Sequence, residues 1–389
     1  MIGVALASAT SFLDMYATQP LLPEFLREFH TTKAIAGLTL TAMSMGVALM
    51  ALPTGLFADI LGRKRVIVSA MLLLAGLTAA AAFSRTIDTL VAWRFVQGLV
   101  MPAILVTSVA YISEEFPAHR AAMAFAAYTS GGILGGFAGR YVTAAAADAS
   151  NWHVAFMMLG GANLIGAILV FGLLPRSRVF QREGSIAQAL VDMRSHLTNA
   201  RFLATCIVGG NSLLSLVAAY TFITYHLSEA PYHFTTGQIG NIFLAYLVGA
   251  IVTFRAGRLI ANYGNRLVIL VAALTVATGA LVMLIPSALT IVAGLLIITC
   301  GVFVSQTAAQ GNIRNVVNHG TAIAAALYLV VYYTLGGLGA VVPAWIARNG
   351  AAWQVAIALV VVLQTISIAI IIGFVRRAAR SGEAVFPVY

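Results

Sequence analysis

Long apolar runs occupy most of the chain, and short polar segments separate them. A helix rises ~1.5 Å per residue, so a run of roughly 20 residues crosses the ~30 Å of hydrocarbon in a bilayer. We predict twelve membrane-spanning helices, over residues 2–23, 34–57, 66–84, 89–112, 121–142, 152–174, 202–227, 237–256, 267–285, 288–311, 321–346 and 353–375. The pattern is that of an all-α integral membrane protein.

Basic residues between the runs predict how the chain is oriented in the membrane. Short cytoplasmic loops retain Lys and Arg. With both termini inside, sixteen of the 22 Lys and Arg residues fall on the inner side and Arg94 falls within a span. The five that fall on the outer side are Arg27, Lys33, Arg85, Arg140 and Arg348. We therefore predict that both termini are cytoplasmic.

The composition supports a membrane protein and narrows its partners. Of the residues, 61% are hydrophobic and 9% are charged, more apolar surface than a water-soluble core can bury. The net charge of +10 is spread over many loops, which suits an anionic membrane surface and argues against nucleic acid as a partner. Cys206 and Cys300 lie inside spans without metal-ligand spacing, so we expect neither redox nor metal chemistry.

The two halves of the chain resemble each other. NWHVA and AWQVA, YTSGG and YTLGG, and the glycines of 55–62 and 257–264 recur at offsets of 201, 205 and 202 residues. Matches at a near-constant offset indicate duplication. We predict two pseudo-symmetric six-helix bundles, 1–174 and 202–389, the second with a short cytoplasmic tail, joined by a cytoplasmic linker at 175–201.

A glycine-rich, basic segment, GLFADILGRKRVI, follows the second span at residues 55–67. Its central glycine allows a tight turn that presents the basic residues at the cytoplasmic face. The segment resembles a loop signature of the major facilitator superfamily, in the place between spans two and three that this family requires. The matching residues, which the resemblance implies form a conformational latch between the halves, are Gly55, Asp59, Gly62, Arg63 and Lys64.

This latch is expected to be asymmetric. Ile60 stands where the family signature has an arginine. In the counterpart segment of the second half, GRLIANYGNR, Ala261 stands where the acid would be.

The fourth and fifth spans carry two further patterns similar to signatures of this superfamily. LVAWRFVQGL resembles an Arg-x-x-Gln-Gly signature at Arg94, Gln97 and Gly98. YTSGGILGGFAGR is similar to a signature common in the family's antiporters, and its matching, helix-packing residues are Gly131, Gly135 and Gly136. In the antiporter signature a proline occupies the place of Gly132.

Asp14 lies inside the first predicted span, where an unpaired charge is costly and usually functional. It lies ~20 Å from the inner edge, and Arg94 reaches a similar depth from the other side. Burial disfavours a charged carboxylate and a neighbouring arginine favours it, so such a group changes protonation with its surroundings. We predict that Asp14 and Arg94 are a proton-coupling pair. The alternatives are a permanent ion pair and an arginine extended to the outer interface.

Uncharged polar and aromatic side chains inside the spans are the candidates for substrate contact. These residues are Tyr16, Gln19, Gln97, Asn211, Tyr220, Tyr225, Asn241, Tyr246, Gln306, Gln310, Tyr328 and Tyr332. Such a set fits an amphipathic or cationic organic molecule better than a phosphate or a dicarboxylate.

The resemblance is closest to the twelve-helix drug–proton antiporters and sugar efflux proteins of bacteria. It implies a secondary transporter in the bacterial inner (plasma) membrane, monomeric, and driven by the proton gradient without a cofactor. The small-molecule substrate and the lipid bilayer are the expected partners. A uniporter or an uptake symporter on the same fold, or a non-transporting receptor or scaffold, are the alternatives. An enzyme is not expected, because no cluster of histidines and acids and no Walker segment is present in the sequence.

Overall fold

The computed structural model describes residues 1–175, 186–347 and 350–381, without the side chains of 55–61, 118, 186–187 and 374–381. In these residues every regular element is a helix, which confirms the predicted all-α membrane fold. The α-helices are α1 (Ile2–Met15), α2 (Leu22–Glu28), α3 (Lys33–Leu61), α4 (Arg63–Ala81), α5 (Ile87–Glu115), α6 (Ala118–Ala149), α7 (Trp152–Leu173), α8 (Ile186–Thr198), α9 (Ala200–Ser228), α10 (Thr236–Ile242), α11 (Ala245–Val282), α12 (Ala288–Val316), α13 (Thr321–Leu338), α14 (Val342–Ile346) and α15 (Ala352–Ser381).

Ten helical segments of the described residues are long and apolar enough to cross a membrane, against twelve predicted spans. Two features account for the difference. Helix α1 has only 14 residues, because the first span is broken. Residues Thr236–Val282 count as one segment although they carry predicted spans eight and nine, which meet at a turn where Gly264 has a φ of 76°.

The prediction of one continuous helix over 2–23 is wrong. Helix α1 ends at Met15, and a 3-10 helix, Gln19–Leu21, leads into α2. Pro20 has no N–H to donate to the preceding turn, and its ring opposes a continued helix. Ending α1 at Met15 leaves the carbonyl oxygens of its last turn without the usual intrahelical donors.

The predicted linker contains a helix, α8, that the sequence analysis did not anticipate. Asp192 on this helix lies 3.0 Å from the Nδ1 atom of His319, just before α13. His196 Nε2 lies 3.3 Å from the carbonyl oxygen of Gly320. Helix α8 is therefore attached to the start of α13 by polar side chains.

The chain divides into two compact units. Unit one comprises Met1–Glu183 and Leu227–Leu244, and unit two comprises Gly184–His226 and Ala245–Tyr389. In unit one α1 packs along α6 and α7, α3 along α5, and α4 along α5 and α7. In unit two α11 packs along α12 and α15.

Each unit contains a glycine turn at an equivalent place in its sequence. Gly62 joins α3 to α4 with a φ of 85°, and Gly264 lies 202 residues later with a φ of 76°. Both values fall in the left-handed region, which glycine enters without steric cost. The shared geometry agrees with the internal duplication inferred from the sequence.

Candidate functional site

Asp14 lies in the interior of unit one, on the last turn of α1, with 0% of its surface exposed. Its Oδ2 atom accepts hydrogen bonds from Thr78 Oγ1 at 3.1 Å and from Asn163 Nδ2. Its Oδ1 atom is buried and has no hydrogen-bond partner among the described residues. Residues of helices α4 and α7 thus donate to one carboxylate oxygen, and the other oxygen receives no hydrogen bond from the described residues.

Arg94 is fully buried on α5, and its guanidinium group joins three helices. Its Nη2 atom donates to the main-chain oxygens of Asp14 at 2.7 Å and Met15 at 3.1 Å, and its Nε atom donates to Thr39 O at 3.3 Å. The first two oxygens are available because α1 ends there. The structure places the predicted pair side by side, with these hydrogen bonds running to the main chain of Asp14.

Two side chains connect the guanidinium group to the carboxylate. Arg94 Nη1 donates to Gln97 Oε1 at 2.7 Å, and Gln97 Nε2 donates to Thr78 Oγ1 at 3.1 Å. The Thr78 hydroxyl has one hydrogen, which it shares between Asp14 Oδ2 and the Leu74 carbonyl oxygen at 2.8 Å. A proton added to Asp14 therefore alters a hydrogen-bonded chain that ends at Arg94.

Thr78 and Asn163 were not among the site residues predicted from the sequence. Both are buried polar residues within apolar helices, α4 and α7. An amide inside a membrane span is itself a signal of a polar partner, because an unsatisfied amide is costly in hydrocarbon. Asn163 could have been found in this way, whereas Thr78 resembles the many threonines that bond only to their own helix.

Helix α6 packs on α1 through glycines spaced four residues apart. A Cβ atom added at these positions would meet main-chain atoms of α1: Gly131 faces Ala5, Gly135 faces Ala9 and Gly139 faces Leu13. Gly131 and Gly135 were predicted to pack helices. Gly139 was missed, although it continues the same spacing. Gly136 is in a different position, and its carbonyl oxygen accepts a hydrogen bond from Arg140.

Arg140, which the sequence analysis counted on the outer side, is buried inside unit one. Its Nε atom donates to Gln19 Oε1 at 2.8 Å, and its Nη1 atom donates to Gly136 O at 2.7 Å. The guanidinium carbon lies 4.5 Å from the ring centroid of Tyr16 and 5.4 Å from that of Phe243. Arg140 lies well inside α6, because this helix continues to Ala149, beyond the predicted end of span five at 142.

The predicted latch segment is described from its central glycine onwards. Arg63 donates two hydrogen bonds to Glu114, Nε to Oε2 at 3.1 Å and Nη2 to Oε1 at 2.7 Å. Lys64 Nζ lies 4.9 Å from the ring centroid of Phe171. The surroundings of Gly55 and the side chain of Asp59 lie outside what the structure describes. Glu114, at the end of α5, was not singled out in the sequence.

The predicted substrate contacts fall into separate groups. Tyr16 and Gln19 surround Arg140, and Gln97 belongs to the Asp14 chain, all in unit one. In unit two, Tyr220 Oη lies 2.9 Å from Thr299 Oγ1, and the ring centroids of Tyr220 and Tyr246 are 6.1 Å apart. The rings of Tyr328 and Tyr332 stack at 5.6 Å.

The remaining candidates differ in their contacts and exposure. Asn211 Nδ2 donates to Ser367 Oγ at 3.2 Å, and the ring of Tyr225 lies 5.8 Å from that of Phe222. Gln306 is half-buried, and Asn241 and Gln310 are exposed.

Comparison with known proteins agrees with this architecture. The sequence profile of the Major Facilitator Superfamily matches residues 4–341. The uncharacterized MFS-type transporter YybF of Bacillus subtilis is 30% identical over 340 residues, which cover 85% of this chain and 84% of YybF. The 4-hydroxybenzoate transporter PcaK of Acinetobacter baylyi is 31% identical over 172 residues, 43% of this chain and 37% of PcaK.

A solved structure shows the same fold. It is a bacterial homolog of the human lysosomal transporter Spinster, in an inward-facing and occupied conformation. It superposes with a TM-score of 0.79 at 16% sequence identity, and the match covers 95% of each chain. At this identity the similarity concerns the fold alone.

Proposed function

Because the chain belongs to the Major Facilitator Superfamily and is a membrane transporter and not an enzyme, we propose that it exports a small amphipathic organic compound in exchange for protons. The compound is drug-like or sugar-like, and transport proceeds by alternating access. The protein is a multi-pass protein of the bacterial inner membrane.

The observation that carries the proposal is the hydrogen bonding of Asp14. A fully buried carboxylate with donors on one oxygen alone is suited to bind and release a proton. In the protonated form Oδ1 carries the hydrogen, and Oδ2 keeps Thr78 and Asn163 as donors.

Arg94 has a supporting role in this mechanism. Its guanidinium group donates to the carbonyl oxygens at the end of α1, and these bonds do not involve the carboxylate of Asp14. The change in charge acts through Gln97 and Thr78 instead. Loss of a negative charge next to a fixed positive charge alters the relative energy of the two conformations of a carrier, which is the requirement for coupling.

Export is supported by the glycine face of α6. It resembles the antiporter signature of the family, and it sets the distance between α6 and α1, the helix that carries Asp14. The proposed proton site therefore lies on the helix that these glycines contact.

A second function, proton-coupled uptake of an aromatic carboxylic acid, is favoured by one observation. Arg140 is a buried cation between two aromatic rings, the kind of group that binds a carboxylate on an aromatic ligand. The PcaK relative transports 4-hydroxybenzoate by its name, and it covers less than half of this chain.

Two vesicle assays distinguish proton-coupled export from proton-coupled uptake. In inverted vesicles with an acidic lumen, a pH-sensitive dye reports proton leak while amphipathic cations, antibiotics and sugars are added. An exporter discharges the gradient when its substrate is added. In right-side-out vesicles in acidic buffer, an uptake symporter accumulates labelled 4-hydroxybenzoate.

Variants test the role of Asp14 in either direction. Asp14→Asn should abolish the proton-coupled signal, and the matched control Asp88→Asn, an exposed carboxylate at the start of α5, should retain it. For uptake of the aromatic acid, Arg140→Gln should abolish accumulation. A compound that discharges the gradient equally in the parent and in Asp14→Asn would show that Asp14 is a structural charge.

A further inference from the structure

Unit two contains a cavity of about 540 Å³ whose lining includes none of the predicted proton-coupling or substrate-contact residues. It lies where α9, the Gly264 turn of α11, the end of α12 and α15 meet. We call it the basic cavity. Its lining is Arg201, Ala204, Thr205, Val208, Ile260, Ala261, Gly264, Asn265, Arg266, Ile269, Asn312, Asn315, Val316, Ile370 and Ile371.

The polar part of this lining consists of donors. Arg201 and Arg266 contribute guanidinium groups, which present planar sets of N–H donors, and three asparagines contribute amides. No carboxylate is among the described residues that line the cavity. A lining of this charge attracts an anion and repels a cation.

The amides are connected and not fully satisfied. Asn312 Nδ2 donates to Thr205 Oγ1 at 3.0 Å, and Asn265 Nδ2 lies 3.4 Å from Asn312 Oδ1. The other polar atom of the Asn265 amide, Oδ1, is buried and has no hydrogen-bond partner among the described residues. An amide NH2 group has two hydrogens, so Asn265 and Asn312 each keep a second N–H besides the one used in these bonds.

The rest of the lining is apolar. Val208, Ile269 and Ile371 are buried residues of one hydrophobic cluster that forms the floor of the cavity. By the predicted orientation, the mouth lies at the cytoplasmic surface of the membrane, at the level of the lipid headgroups. An apolar floor below basic donors matches an anionic headgroup whose hydrocarbon lies beside it.

We propose that the basic cavity binds a phosphate-bearing anion, with Arg201 and Arg266 as its charged partners and Asn265 and Asn312 as amide donors. The phosphate belongs either to an anionic phospholipid of the inner leaflet or to free phosphate from the cytoplasm. The site is independent of the transport chemistry at Asp14.

The test uses the full-length purified protein in a nonionic detergent. A ligand that binds the folded state raises the unfolding temperature. We would titrate water-soluble dihexanoyl phosphatidylglycerol, dihexanoyl phosphatidylcholine and inorganic phosphate, and follow unfolding by tryptophan fluorescence. A saturable rise with phosphatidylglycerol alone identifies a lipid site, and a saturable rise with inorganic phosphate identifies a free-anion site.

Variants assign the effect to the cavity. Arg201→Gln combined with Arg266→Gln should weaken the apparent affinity by about tenfold or more, because two charge-assisted contacts are lost. The control Arg258→Gln changes an exposed arginine on α11 outside the lining and should bind like the parent. If the double variant does not fold, Asn312→Asp puts a carboxylate in the cavity and should weaken binding in the same way.

Two results would overturn the proposal. One is the lack of a saturable shift with either anion in the parent protein. The other is a shift that the double variant or Asn312→Asp reproduces unchanged.

Discussion

The two hydrogen bonds that Arg94 makes with α1 depend on where that helix ends and not on the side chains at its end. The carbonyl oxygens of Asp14 and Met15 accept its Nη2 atom because α1 stops at Met15. A side chain that donates from three nitrogens in a plane is required to reach these oxygens together with Thr39 and Gln97.

Arg94→Lys should therefore destabilise the protein although it keeps the charge. A lysine side chain has one nitrogen and cannot replace the three planar nitrogens of the guanidinium group, so several buried hydrogen bonds to a charged group are lost. We expect the free energy of unfolding to fall by about 2–4 kcal/mol, at about 1.5–3 kcal/mol for each such bond less what the lysine regains. The unfolding temperature of the purified variant measures this, and Arg85→Lys, on an exposed loop, is the control. An unfolding temperature equal to that of the control would show that the guanidinium hydrogen bonds of Arg94 do not stabilise the protein.

For individual residues, the sequence predicted the depth of Asp14 and Arg94 in the membrane but not their hydrogen-bond partners. The positions of Asp14 and Arg94 in their runs were enough to predict that they lie near each other. The hydrogen bonds to main-chain oxygens were not predictable, because they depend on the break at Tyr16, and the first run was expected to continue to residue 23. Asn163 was not predicted because the rotation of α7 about its axis cannot be read from an apolar run without a clear polar face.

Helices α1 and α6 are in close main-chain contact. The glycines of α6 bring its backbone against that of α1 along three turns. An added Cβ atom at Gly135 would lie 2.6 Å from the carbonyl carbon and 2.7 Å from the Cα atom of Ala9. Backbone cannot move aside as a flexible side chain can, so any larger residue separates the two helices.

Gly135→Val should lower the free energy of unfolding by about 2–4 kcal/mol, since overpacking of this kind typically costs 1–3 kcal/mol and the main chain must also shift. The control is Gly161→Ala on α7, where an added Cβ meets nothing within 4 Å. That control should leave the stability unchanged or raise it by about 0.5–1 kcal/mol through helix propensity. If the two variants unfold at the same temperature, α6 is not closely packed on α1 in the membrane.

The pair of Arg63 and Glu114 connects the beginning of α4 to the end of α5 by two parallel hydrogen bonds. A double-mutant cycle with Arg63→Gln and Glu114→Gln should give a coupling energy of about 1–2 kcal/mol, more than an exposed pair, because the guanidinium side chain is only 9% exposed. Denaturation of the four proteins at two salt concentrations provides the measurement. A coupling energy near zero would mean that each side chain acts separately.

The whole molecule follows the hydrophobic pattern closely, because hydrocarbon permits few alternatives to a helix. The departures occur where the pattern carries no information. The first predicted span remains largely apolar across its break after Met15. Helix α8 is too short and too polar to be recognised within a linker. The internal repeat predicted from the sequence pairs Gly62 with Gly264, and both glycines have positive φ angles.

The orientation in the membrane can be tested by labelling. Single cysteines at Ser150, between α6 and α7, and at His119, at the beginning of α6, replace exposed side chains at opposite ends of the same helix. With Cys206 and Cys300 changed to serine, a membrane-impermeant maleimide should label Ser150→Cys in intact cells and His119→Cys only in permeabilised cells. The opposite pattern would invert the predicted topology.

The anchoring of Arg94 to main-chain oxygens has an evolutionary consequence. Every amino acid carries a carbonyl group, so positions 14 and 15 can vary without loss of these bonds, provided that the helix still ends there. A relative that has lost the aspartate can therefore keep the arginine in the same place. Such a protein would retain the architecture of a carrier while its substrate moved down a gradient, uncoupled from protons. Coupled and uncoupled transporters would then be one substitution apart.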